Sequence, residues 1–91
     1  MLIICYGISN DKLRTRLAKW LVKSGGIRLQ YSVYEFSYTK RMLENIKIKF
    51  ESDFCKKFGG GDSIFIFETN INNAIKFGNA IHRDKDLLFF T

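Results

Sequence analysis

Proline is absent from this 91-residue chain, histidine and tryptophan occur once each, and cysteine occurs twice. Unfolded segments are commonly rich in proline and poor in aromatics. With no proline and nine phenylalanines, long structureless stretches are not expected. The lone histidine, His82, has no carboxylate, serine or cysteine at a spacing that would pair it for catalysis, and it reads as a surface residue. Cys5 and Cys55 each lie in an apolar-patterned segment with no His or Cys neighbour at ligand spacing. They read as buried small hydrophobes in a reducing compartment. No apolar run approaches the ~20 residues that a membrane-spanning helix needs. Leu2–Tyr6 is too short for a signal-peptide core and follows no basic stretch. A soluble, cytoplasmic protein with no membrane partner is expected.

Acidic residues are also scarce: nine Asp and Glu stand against fifteen Lys and Arg, a net charge of +6. A two-fold dimer would carry twice that, and such a surface attracts phosphate, in nucleic acid or in an anionic membrane. Two familiar phosphate and RNA motifs are missing. Gly59-Gly60-Gly61 is not followed by Gly-Lys-Ser/Thr, and Asp62 would repel phosphate, so the triplet reads as a linker. The Lys/Arg-Gly-Phe/Tyr-Gly/Ala-Phe pattern of an RNA-recognition sheet is absent as well.

What is present reads as one compact domain over residues 1–91. Residues 2–6 form a buried strand closed by Gly7, and Ser9, Asn10 or Asp11 can cap a helix over roughly 12–24. On that helix Leu13, Leu17, Trp20, Leu21 and Ser24 share about a 100° arc, and Gly25-Gly26 ends it. Ile27–Thr39 is extended, either as two short strands with a tight bend or as one long bent strand. A second helix is predicted over Lys40–Lys57, with Leu43, Ile46, Phe50, Phe54 and Phe58 as its buried stripe. Ser63–Thr69 is a further strand, residues 70–86 are mostly loop with a helical turn around Ala74–Phe77, and Leu87–Phe90 is a last strand. The order gives an α+β, ferredoxin-like βαββαβ fold with an added C-terminal strand, its antiparallel sheet covered by helices on one face.

Strands with one wet face should alternate apolar and polar residues. Leu2–Tyr6, Ile64–Phe67 and Leu87–Phe90 are instead apolar at successive positions. A homodimer packing sheet against sheet would cover the second face, with the segment from about 80 to 91 pairing with the partner protomer. The other arrangement folds the loop over residues 70–86 across that face.

On the first helix Lys12, Arg16, Lys19 and Lys23 fall within about a 60° arc at 100° per residue, away from the apolar stripe, with no acidic residue between Lys12 and Lys23. Such a row can follow a phosphate backbone. Arg14 lies at the border of the apolar face, and Arg28 and Gln30 open the next segment.

The runs Leu2-Ile3-Ile4-Cys5-Tyr6, Asp11–Ala18 and Arg28-Leu29-Gln30-Tyr31-Ser32-Val33-Tyr34-Glu35 resemble the CRISPR-associated protein 2 family, closely over the first forty residues and more loosely by element order beyond. The resemblance implies a ferredoxin-like homodimer that joins the CRISPR integrase in spacer acquisition. In that role the dimer bridges integrase dimers and lies along a double-stranded DNA prespacer. It also implies the Mg²⁺-dependent endonuclease activity on RNA or DNA described for several members. In those members an Asp follows the Tyr that ends the first strand, and two facing copies hold the divalent metal. The matching position here is Gly7, which has no side-chain oxygen, and Asp11 can replace it only if the turn folds back. The sequence therefore points to a non-catalytic, backbone-binding dimer using Lys12, Arg16, Lys19 and Lys23, with Arg14 and Arg28 as secondary contacts. A weakened or inactive endonuclease and a ferredoxin-like adaptor that binds only protein are the other two readings.

Overall fold

The computed structural model describes residues 1–70 together with 72, 75 and 77. Strand β1 (Leu2–Gly7) leads into helix α1 (Asp11–Lys23), and the hairpin β2 (Ile27–Gln30) and β3 (Val33–Phe36) follows. Helix α2 (Lys40–Ser52), a 3₁₀ turn (Phe54–Lys57) and β4 (Ser63–Glu68) complete the described elements. The sheet order is β2-β3-β1-β4 with every pairing antiparallel. This is the expected α+β, ferredoxin-like arrangement. The strand Leu87–Phe90 and most of the turn around residues 74–77 lie outside the described residues, as does His82.

Local chemistry explains where the elements start and stop. The Asn10 side chain accepts the Leu13 N–H at 2.8 Å and caps α1, and Thr39 caps α2 by accepting from Met42 at 3.0 Å. Helix α1 ends where Gly25 takes φ +100°. Gly26 then passes so close to the core that a Cβ on it would lie 2.6 Å from the Phe36 ring. Between β2 and β3 the chain turns at Tyr31-Ser32, with Ser32 at φ 63°, so the hairpin and not the bent strand is realised. A register shift between Arg28 and Gln30 bulges β2.

The second helix is shorter than its pattern predicts. It ends at Ser52 instead of running to Lys57, and the chain resumes as a 3₁₀ turn. Asp53 sits at this break, where a carboxylate opposes the helix dipole and is held sideways by Arg16 of α1. Phe54 still reaches the core and packs between Trp20 and Phe50, with ring centroids 5.9 and 6.1 Å away.

Leu2, Ile4, Tyr6, Tyr34 and Phe36 from the sheet meet Leu13, Leu17, Leu21, Ile46, Phe50 and Phe54 in a single core. Burying a side chain of this size contributes about 1.5–3 kcal/mol. The opposite sheet face carries Ile3, Cys5 and Val33, half-buried, and Phe65 and Phe67, which are 58% and 52% exposed. The two phenylalanine rings stack with centroids 5.9 Å apart. Cys5 is only half-buried and Cys55 is exposed on the 3₁₀ turn, which corrects the expectation of two buried thiols. Cys55 is exposed because the turn directs its neighbour Phe54 into the core. No helix among the described residues is long and apolar enough to cross a membrane.

Candidate nucleic-acid interface

The cations singled out in the sequence divide between two depressions on either flank of α1. Lys12, Arg16 and Lys19 line a shallow groove of about 350 Å³ with Thr15 and Asp11. On the other flank, Arg14, Lys19 and Arg28 line a cleft of about 180 Å³ against the β2–β3 hairpin, walled by Tyr6, Tyr31 and Tyr34. Lys19 borders both, and Lys23, exposed in the last turn, lines neither. The helix places these groups at one-turn intervals, a spacing that presents cations to successive phosphates.

The side chains differ in how free they are. Arg14 donates from Nη1 to the Ile8 carbonyl at 2.9 Å and from Nη2 to Asp11, so it is folded back along its own helix start. Arg16 makes two parallel bonds of 2.9 Å to Asp53 and lies over the Phe54 ring, 4.5 Å from its centroid. Arg28 lies 5.8 Å from the centre of the Tyr31 ring, and Tyr31 is 73% exposed. An exposed aromatic bordered by cations is a surface on which a base can stack beside a bound phosphate.

Tyr6 is different in kind. Burial, followed by the stacked Tyr34 ring 6.2 Å away, pushes its phenol up to about 12. It is therefore neutral at physiological pH and can donate a hydrogen bond but cannot act as a general base. The hairpin tip is tied beside it, since the Tyr6 N–H donates to the Ser32 carbonyl at 3.1 Å.

Gly7 ends β1, paired with Ser63, and a Cβ built on it meets no heavy atom within 4 Å. A side chain would fit at this position. Asp11 opens α1 just after β1 and Asp62 immediately precedes β4, and each is engaged. Asp11 accepts from Arg14, and Asp62 accepts from the Ser9 and Gly59 N–H groups at 3.0 and 2.8 Å. Those hydrogen bonds hold Asp62 below the usual carboxylate range. Glu35 shares the sheet face of Gly7 but pairs with Ile3, four residues away, or roughly 13 Å along the strand. Among the described residues no three His, Cys, Asp or Glu side chains gather at one point. This donor set does not suit Mg²⁺, which takes several oxygens in octahedral geometry.

The tyrosine walls of the cleft were not singled out from sequence, nor were Asp53 and the two lysines that join Arg16 around it. Lys49 and Lys57 bond Asp53 at 3.0 and 2.8 Å. Their i,i+4 spacing from Asp53 was the available signal.

Comparison with known proteins identifies the family. Residues 1–75 match the family described as CRISPR associated protein Cas2. A segment of 55 residues is 36% identical to a protein of Methanospirillum hungatei named CRISPR-associated endoribonuclease Cas2 1, covering 60% of this chain and 58% of that one. A segment of 51 residues is 43% identical to a CRISPR-associated endoribonuclease Cas2 of Thermus thermophilus, covering 56% and 53%. The chain thus spans little more than half the length of the curated relatives it matches.

Proposed function

This chain belongs to the CRISPR-associated protein Cas2 family, and on that footing we propose that it is a backbone-binding, non-cleaving subunit of CRISPR adaptation. In this reading it acts in the cytoplasm as a homodimer that lies along a double-stranded DNA prespacer and bridges dimers of the CRISPR integrase. The observation that carries the reading is the placement of Lys12, Arg16 and Lys19 along one groove of α1, with no acidic residue between Lys12 and Lys23. Each cation that meets a phosphate releases condensed counterions, so the binding is nearly independent of base sequence and falls steeply with salt. Lys23, Arg14 and Arg28 extend the contact at its margins. Two protomers would double the cationic surface, and the exposure of Phe65 and Phe67 supports packing through that sheet face.

The relatives are named endoribonucleases, which favours a second reading, an endonuclease acting on RNA, to which the family resemblance adds DNA and Mg²⁺. Gly7 weighs against it. The position where the resemblance calls for a metal-binding Asp has no side-chain oxygen, and the neighbouring Asp11 and Asp62 are bonded elsewhere.

Mobility shifts with duplex DNA at two salt concentrations, run on the parent and on a Lys12/Arg16/Lys19 triple-alanine variant, test the proposal. The parent should bind and weaken steeply with salt, while the triple variant should lose most of its affinity. Equal binding by the two would overturn the assignment. Chelator-sensitive cleavage by the parent would establish the endonuclease reading in its place. Gly7→Asp has space for its side chain and should gain some Mg²⁺-dependent cleavage.

A further inference from the structure

A second cluster of charge lies where the start of α1 meets the 3₁₀ turn. Asp53, 18% exposed, accepts two bonds from Arg16 at 2.9 Å, one from Lys57 at 2.8 Å and an ion pair from Lys49 at 3.0 Å. One carboxylate thus gathers three cations and leaves two positive charges uncompensated. An ion-pair cluster serving stability alone gains nothing from surplus charge of one sign, because like charges held together repel. Beside the cluster a depression of about 280 Å³ is lined by Asn10, Lys12, Leu13, Arg16 and Lys57.

We infer that this depression is a second phosphate-binding site, in which Lys57 joins Lys12 and Arg16 and Asp53 acts as the positioning residue. The donor inventory supports an anionic occupant. A guanidinium carries five N–H groups and an ammonium three. Arg16 spends two of its donors on Asp53 and Lys57 spends one, and both side chains remain exposed. Asn10 caps α1 through its oxygen, which leaves its amide N–H₂ to donate. No acidic side chain lines the depression. The Phe54 ring beneath Arg16 and the carboxylate beside it fix the guanidinium plane before any ligand arrives. Less side-chain entropy is then lost on binding. The occupant fitting this chemistry is a phosphodiester of the nucleic-acid backbone. The site turns the lane of phosphate contacts off α1 and onto the 3₁₀ turn.

This inference rests on the backbone-binding reading, and the test separates the two. Binding of the intact chain to duplex DNA is measured from about 50 to about 200 mM salt, for the parent, Lys57→Ala, Lys57→Arg and Lys47→Ala. Lys47 lies on α2 beside Glu44, so its substitution removes the same charge elsewhere. Lys57→Ala should bind about tenfold more weakly at low salt. Its slope of log affinity against log salt should be shallower by about 0.9, the share of one phosphate. Lys57→Arg should retain parental affinity, and Lys47→Ala should change little. Lys57→Ala behaving like Lys47→Ala would overturn the site while loss of binding in the Lys12/Arg16/Lys19 variant kept the parent reading. A parent chain that ignored duplex DNA would overturn both.

Discussion

Asp53 concentrates more of the surface chemistry than any other described residue. Hydrogen bonds from Arg16, Lys57 and Lys49 hold its carboxyl far below the usual carboxylate range. A group depressed in this way binds fewer protons folded than unfolded, so its contribution is complete above the unfolded value of about 3.9 and fades as pH falls below it. Urea unfolding should therefore show Asp53→Asn less stable than the parent at pH 7, with the gap closing as pH is lowered through 4 towards 3. A gap that stayed constant over that range would show that the ion cluster is not its source. At Gly26 the constraint is steric. A Cβ there meets the Phe36 ring at 2.6 Å and the Leu21 carbonyl at 2.8 Å, and Phe36 is fully buried with no room to retreat. Gly26→Ala should cost about 1–3 kcal/mol, as overpacking typically does, measured by the same denaturation.

Among the elements, those defined by their own periodicity were legible in the sequence. The α1 stripe and its cation row needed only the 3.6-residue repeat, and the apolar run of β1 needed only contiguity. The cap of α1 was narrowed to three residues, and Asn10 takes it because its oxygen reaches the Leu13 N–H. Asn10→Ala should lower stability by about 1 kcal/mol and reduce helical circular dichroism first at this end. The hairpin stayed one of two open arrangements, because Ile27–Val33 alternates evenly through the point where Ser32 turns left-handed. The end of α2 was not legible. Its apolar spacing continues to Phe58, and the break depends on Arg16, 37 residues away in the chain. Such a contact exists only after folding. The Arg16 arm of the Asp53 cluster is hidden for the same reason, whereas Lys49 and Lys57 stand four residues to either side of Asp53 and the row on α1 lies on one helix.

For the whole molecule, the proposed homodimer depends on the sheet. The face opposite α1 and α2 exposes Phe65 and Phe67 beside Ile3, Cys5 and Val33 among the described residues. Replacing both phenylalanines by serine should shift sedimentation from twice 10.6 kDa to the single-chain mass and weaken duplex binding with it, because half the cationic surface is then lost per particle. The two margins of the sheet are unequal. Strand β2 has four residues, Arg28 among them, and is interrupted by a bulge, features that discourage further strand pairing. Strand β4 has six residues in unbroken register with β1 and, among the described residues, no neighbour on its outer side. In the proposed dimer the sheet face forms the seam and a strand of the partner protomer closes the β4 margin, so one union consumes both surfaces. Titration of the purified chain should accordingly plateau at two copies, without the filaments that a pair of equally receptive edges would seed.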